Sequence, residues 1–231
     1  MLNRLLHQSF FPVLLLLFGA LAPSFAARAQ TDADIGLVNQ VSGDVTYAGE
    51  GGLNNKAQAF MRVRQGDRFV VAPGASLRLV YLAGGRQELF KGPAAFRAGA
   101  TQSEMRSGAA PEVTVLPTAV PQKIARVPEL LQSARLGGIS VRGGIVRPRP
   151  ALDPANKAEM AEARKTYAAL RAATPEDDIT PELFLFSVLQ EFSLYDEIVP
   201  LSEDMQRRQP SNPELKELAA WVRTRAAQMG K

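Results

Sequence analysis

The stretch QGDRFVVAPGASLRLVYL, Gln65 to Leu82, decides the fold. Leu77, Leu79 and Tyr81 recur at every second position, which sends them to one face of a strand and Arg78 and Val80 to the other. Gly66-Asp67 stands in front and Pro73-Gly74 interrupts the run, so the text predicts two strands joined as a β-hairpin. The neighbouring text behaves in the same way. IGLVNQV and DVTY flank Ser42-Gly43, FMRVR precedes Gln65-Gly66-Asp67, and RQELF lies between Ala83-Gly84-Gly85 and Gly92-Pro93. Short β-rich runs punctuated by Gly or Pro predict an all-β sandwich or roll over residues 30–98.

Beyond that region the pattern loosens. Residues 99–152 read as a small polar loop (Gly99 to Pro111), a returning strand with Val113 and Val115, a short helix from Pro128, and a connector over Gly137 to Pro150. Pro148 and Pro150 favour extended backbone in that connector. Residues 153–231 are helical. Asp153-Pro154 is a cap followed by a first-turn proline, with Met160, Ala163, Tyr167 and Leu170 at helical spacing. Thr180-Pro181-Glu182 opens a second helix, Ser193 is expected to cap a third, and Asn212-Pro213-Glu214 opens a fourth. Pro200 inside the third predicts a kink or a later start. The fold class is therefore α+β in two segregated parts.

The N-terminus reads as an export signal. Arg4 precedes an apolar run from Phe10 to Leu21, and Ala27-Arg28-Ala29 is a small-residue cleavage motif ahead of Gln30. Ser24-Phe25-Ala26 offers a second place to cut. The run is a dozen residues, shorter than the ~20 that span a bilayer. Removal of residues 1–29 takes away His7, the only histidine, and the chain has no cysteine. The expected mature protein is periplasmic and carries neither imidazole nor thiolate. That removes the usual zinc ligands, disulfides, and Ser-His or Cys-His nucleophile pairs. No cofactor is expected.

Charge is unevenly distributed. Residues 30–150 hold 15 basic and 9 acidic side chains, a net +6, and residues 151–231 hold 10 and 14, a net −4. Either the halves attract each other or these are ordinary solvated surfaces. The remaining chemistry is thin. There is no G-x-S-x-G and no S-x-x-K, and the glycines at 137–138 and 143–144 match no nucleotide-binding motif. Asp44 and Asp67 could act as a carboxylate pair if they faced one another, although both sit at turns that Asp favours for its own backbone bonds. Glu176-Asp177-Asp178 lacks the ligand spacing of a calcium loop and suits the positive end of the helix that follows. Arg142, Arg147 and Arg149 have no aromatic residues between them, which argues against nucleic acid.

Two resemblances give these elements a context. Gly36-Leu37-Val38, Val41-Ser42-Gly43-Asp44-Val45, Gly66-Asp67-Arg68-Phe69-Val70, the turn Pro73-Gly74-Ala75 and Gly92-Pro93-Ala94 together resemble the FecR-like domain of bacterial envelope proteins. The Asp-Gly turn usual in that family is Gly84-Gly85 here, and two glycines still supply positive φ angles. An SH3-like barrel is the alternative architecture. The family's iron-signalling members carry a cytoplasmic segment that handles a sigma factor. Only Met1 to Ser9 precede the apolar run here, so that activity is not expected to transfer.

Leu185, Leu189, Tyr195-Asp196-Glu197 and Pro210, with Ala163, Tyr167 and Pro175 before them, resemble tetratricopeptide repeats. Phe186, Ile198 and Ser202 depart from that pattern. The resemblance implies a concave face of Thr180, Leu183, Ser187, Gln190 and Glu191, which either binds a peptide or is buried against residues 30–150. The reading that results is a non-enzymatic interaction protein, an adaptor, assembly factor or sensor, contacting an envelope protein or peptidoglycan. The alternative is a peptidoglycan-directed lectin or carboxylate-dependent enzyme using Asp44 and Asp67.

Overall fold

Residues 33–49, 51–136 and 153–229 are described by the structure, a computed structural model. The leader expected over 1–29 and the connector expected over 137–150 lie outside them. Asp32–Lys231 form one compact unit. Ten strands make two antiparallel five-stranded sheets, so the β part is a sandwich and not a single closed barrel.

The first sheet has the order β10-β7-β6-β1-β4, built from β1 (Asp34–Ser42), β4 (Arg62–Arg64), β6 (Ser76–Tyr81), β7 (Arg86–Lys91) and β10 (Glu112–Val115). The second has the order β3-β2-β5-β8-β9, from β2 (Val45–Ala48), β3 (Asn55–Lys56), β5 (Arg68–Val71), β8 (Ala94–Ala98) and β9 (Ser103–Gly108). Between the sheets lie Val38, Val63, Leu77, Leu79, Tyr81 and an aromatic ladder. The ladder runs Tyr47, Phe69, Phe96 and Phe90, with centroid spacings of 5.9, 5.1 and 3.8 Å.

The opening stretch is two strands, but they do not form a hairpin with each other. β5 pairs with β2 and β8 in the second sheet, and β6 pairs with β1 and β7 in the first. The turn between them explains why. Ala75 N donates to Ala72 O at 3.0 Å, and Gly74 has φ +77° behind Pro73. That is the geometry of a type II turn, whose twist splays the flanking strands instead of pairing them. The true hairpin is β6–β7, where Gly84 and Gly85 have φ of +81° and +66°. Two further corrections concern residues 99–126. The expected loop contains β9, an edge strand whose polar text carries no apolar alternation because most of it faces water. A short helix, α1 (Ala119–Ile124), precedes α2 (Val127–Leu136) and has Pro121 in its first turn, where a proline is tolerated. The returning strand is β10, on the outer edge beside β7.

Four helices follow: α3 (Pro154–Ala173), α4 (Thr180–Glu191), α5 (Tyr195–Arg208) and α6 (Pro213–Met229). Asp153 accepts from Asn156 N at 2.8 Å, and Asn212 accepts from Glu214 N at 3.1 Å, so both expected caps are in place. Ser193 does not cap α5. It has φ +55° in the tight link after α4, and Leu194 takes the cap position. Pro200 lies within α5 without ending it. Consecutive helices pack on one another, α1 rests on α4 and α2 on α6.

The helices cover the outer face of the first sheet. Leu37, Phe60 and Val80 share one apolar core with Val120, Ile124, Leu183 and Phe186. β6 is thus buried on both sides, and Arg78 lies on the helix-facing side with 2% of its surface exposed. Its guanidinium meets Asp178 Oδ1 at 3.7 Å and Asp177 Oδ2 at 3.5 Å, and donates to Gln40 Oε1 at 2.5 Å. Asp178, 1% exposed, also accepts from Gln87 Nε2 at 2.6 Å, from Asn39 Nδ2 at 3.3 Å and from Thr180 N at 2.9 Å. A bulge in β1 places this network. Val38 pairs with Leu79 and Gln40 with Arg78, so Asn39 is an extra residue, and both it and Gln40 reach the helical side.

Removing one member of a buried ion pair strands the other charge, at about 3–5 kcal/mol. Arg78→Ala is therefore expected to lower unfolding free energy by about that amount, and the double variant Arg78→Met with Asp178→Asn to recover part of it, both read from urea denaturation. The halves also meet through apolar side chains, which salt does not screen. Small-angle scattering should give the same profile at low and high salt; expansion at high salt would show that charge alone holds the contact.

Candidate functional site

An open cleft of about 700 Å³ lies between the β2–β3 loop, β4, the β4–β5 turn and α2. Leu53 projects from the loop with 75% of its surface exposed. Tyr47, Phe60 and Met61 line the cleft with it, and Arg62, Arg64 and Arg135 bring three guanidinium groups to it. Alternation in β4 places Arg62 and Arg64 outward on either side of buried Val63. Arg135 comes from the last turn of α2.

Each cation is held by carboxylates. Arg62 donates to Asp34 Oδ2 at 2.6 Å and to Glu129 Oε1 at 3.0 Å, and its pKa is raised above the ordinary arginine value chiefly by the bond to Asp34. Since Asp34 belongs to β1 and Glu129 to α2, this side chain ties the sheet to the helix across the cleft. Arg135 donates to Glu217 Oε2 at 2.8 Å and lies 3.9 Å from Glu214, both on α6. Arg64 has a more distant partner, Asp34 at 4.0 Å, and is the most exposed of the three. Its own amide donates to Asp67 Oδ2 at 2.9 Å.

Phe60, at the edge of this cleft, has φ +63°. A bulky residue in the left-handed region is strained, by about 1–3 kcal/mol. Two backbone bonds hold it there, Phe60 N to Val38 O at 2.6 Å and Val38 N to Met61 O at 3.0 Å. The bend turns the Phe60 ring into the helix-side core. Strained backbone of this kind concentrates at sites that bind.

The expected sites fare differently. Thr180, Leu183 and Ser187 are buried: Thr180 bonds to the Asp178 network, Leu183 sits in the shared core, and the Ser187 hydroxyl donates to Leu183 O at 2.9 Å. Gln190 and Glu191 are partly exposed. Glu191 accepts from Lys123 at 2.7 Å and from Arg126 at 2.7 Å, so α1 and the link after it cover that end. These five residues do not form an open groove, because the first three are buried and Glu191 is covered by Lys123 and Arg126.

Asp44 and Asp67 lie at opposite ends of the β2–β5 ladder, since Val45 pairs with Val71 and Ala48 with Arg68. Strand rise puts them roughly 15 Å apart. Asp44 is exposed beside a small recess with Lys56, and Asp67 is buried, bonded to the turn it closes. They do not make a carboxylate pair. Asp177 and Asp178 serve the Arg78 network and the start of α4. Among the described residues, no group of His, Cys, Asp or Glu is arranged to hold a metal ion. No described helix is long and apolar enough to cross a membrane.

The residues that form the cleft carried no motif. The available signals were a lone Leu53 within a Gly/Asn run and two arginines at strand spacing in FMRVR. The chain matches no protein-family model, no curated protein and no solved structure in the comparisons.

Burial pushes the Glu214 carboxyl above the ordinary glutamate range, an effect that Arg135 partly opposes. A raised folded-state pKa contributes stability below the unfolded value of about 4.3, and that contribution is lost as pH rises through the folded value. Glu214→Gln removes this dependence. Wild type should therefore lose stability relative to the variant between pH ~4 and pH ~7, as urea midpoints at the two pH values will show.

Proposed function

We propose that this is an exported, non-enzymatic interaction protein of the cell envelope, in which a FecR-like sandwich and a short tetratricopeptide-like helical part form one body. It acts as an adaptor, assembly factor or sensor and recognises a segment of an envelope protein in the cleft between β4 and α2. The observation that supports this reading is the composition of the cleft. Three guanidinium groups line the cleft together with exposed Leu53 and partly covered Met61, a combination suited to a peptide that alternates acidic and apolar side chains. Arginine forks with an aliphatic anchor recognise such a segment without any reacting group, and Asp67, the one carboxylate among the described residues lining the cleft, accepts from the Arg64 amide.

The peptidoglycan-directed alternative loses its structural basis with the separation of Asp44 from Asp67. The helical part, on this reading, positions α2 opposite β4 and does not bind peptide along its own face.

Crosslinking in intact envelopes followed by pull-down of the tagged chain tests the proposal. Wild type should recover a discrete partner, and Arg64→Glu with Leu53→Asp should lose at least about 90% of it, as expected where an anchor and a charge fork each contribute more than 1 kcal/mol. Thr180, Ser187 and the rest of α4 are unaltered in that variant. Undiminished recovery would move the binding site away from the cleft.

A further inference from the structure

The outer face of the second sheet is covered by no described helix, and its pairing register fixes which side chains share it. One row runs Lys56, Thr46, Val70 and Ala95, and the next runs Ala48, Arg68, Arg97 and Glu104, each directly opposite the one before. Arg106, the extra residue at the bulge between Met105 and Ser107 on β9, reaches the same face at the Glu104 carboxylate. Arg97 and Arg106 both approach the Glu104 carboxylate, at 3.9 and 4.0 Å. Lys56 and Arg68 have no carboxylate partner among the described residues. Asp44, exposed beside the recess that Lys56 borders, adds a second carboxylate, so four cations against two leave this face at net +2.

The arrangement breaks a local rule of sheet stability. Arg68 and Arg97 stand directly opposite on adjacent strands, where like charges repel and destabilise the pair. Both heads project into solvent and neither enters a core. A sheet that keeps such a pair gains from it when the opposing surface is anionic. The rest of the face narrows the choice of surface. Its centre is Val70, 54% exposed, flanked by Thr46 and Ala95. No aromatic side chain in these two rows offers a platform for sugars, and the small recesses that Lys56 borders at the β2–β3 edge include neither Val70 nor Arg68 nor Arg97. The cations span five strands, ~19 Å at the usual interstrand spacing, and are spread over a plane instead of along a line. We propose that this face docks the protein on an anionic phospholipid bilayer. The proposal is independent of the cleft, whose cations Arg62, Arg64 and Arg135 are not on this face.

The test uses the full chain in cosedimentation with two kinds of vesicle, phosphatidylcholine alone and equal parts phosphatidylcholine and phosphatidylglycerol. The readout is the ratio of the two partition coefficients. The apolar N-terminal run is common to all samples and cancels in that ratio. Wild type should prefer the anionic vesicles, and the preference should fall as salt rises. Each cation at a surface contributes about fivefold, so Arg68→Gln with Arg97→Gln should lower the ratio about 25-fold, while Arg223→Gln on α6 should leave it unchanged. Glu104→Gln should raise it by about fivefold, an increase that loss of folding would not produce. A wild-type ratio near one, or a ratio that Arg68→Gln with Arg97→Gln leaves intact, overturns the proposal. So does binding of soluble polyglutamate, lost in that double variant, without vesicle binding, which would assign the face to an acidic polypeptide.

Discussion

A buried guanidinium organises this molecule. Arg78 occupies a position where strand alternation should deliver an apolar side chain to the helix-facing side of the first sheet, next to Val80. Taking that charge out of water costs several kcal/mol unless the cavity provides a carboxylate and further hydrogen bonds. The segment before α4 provides Asp177 and Asp178, and the sheet provides Gln40. Asp178 is itself fully engaged by Gln87, Asn39 and the Thr180 amide. These bonds run from the sheet to the start of α4, with Asn39 Oδ1 alone among the network's atoms left without a partner, and so disfavour other placements of α4 on the sheet. Apolar contact alone would tolerate sliding, so the polar cluster specifies register while Leu37, Val80 and Phe186 supply the attraction.

The uneven charge of the chain has a local counterpart. Every described ion pair between residues 30–150 and residues 151–231 puts the cation on the first half and the carboxylate on the second. These pairs join Arg78 to Asp177 and Asp178, Lys123 to Glu159 and Glu191, Arg126 to Glu191, and Arg135 to Glu214 and Glu217. Most involve partly exposed groups, which contribute little individually. Their common direction still disfavours alternative dockings that would set like charges together.

Much of the fold was legible because alternation and capping are local. Leu77, Leu79 and Tyr81 face the sandwich and Arg78 and Val80 face the helices, as period-two spacing requires. Asp153 and Asn212 cap helices because a short side chain ahead of a proline has few other uses. What sequence reading missed depended on partners far away in the chain. Alternation in SLRLVYL is the same whether the preceding strand pairs with it or crosses to another sheet, and only the Pro73-Gly74 turn type separates the two. The bulge at Asn39 has no composition signal, because its purpose is a contact with Asp178 and Thr180. The edge strand β9 sends a single apolar side chain, Met105, to the core, and so read as loop. The cleft was hidden for a similar reason. Leu53, Arg62, Arg64 and Arg135 share no motif, and only the packing of α2 against β4 brings them together.

That packing also explains why the short helical part need not be a recognition surface. Thr180 through Ser187 of α4 are buried, consumed in docking the helices on the sheet. The consequence is mechanical. α2 is held from behind by Arg135 on Glu214 and Glu217 of α6, and from in front by Arg62 on Glu129. α6 in turn packs on α5, and α5 on α4, which the Arg78 network fixes to the sheet. The width of the cleft is therefore set by a chain of contacts that begins at one buried arginine. Any ligand that separates β4 from α2 must work against that chain, and so senses the seating of the helices on the sandwich.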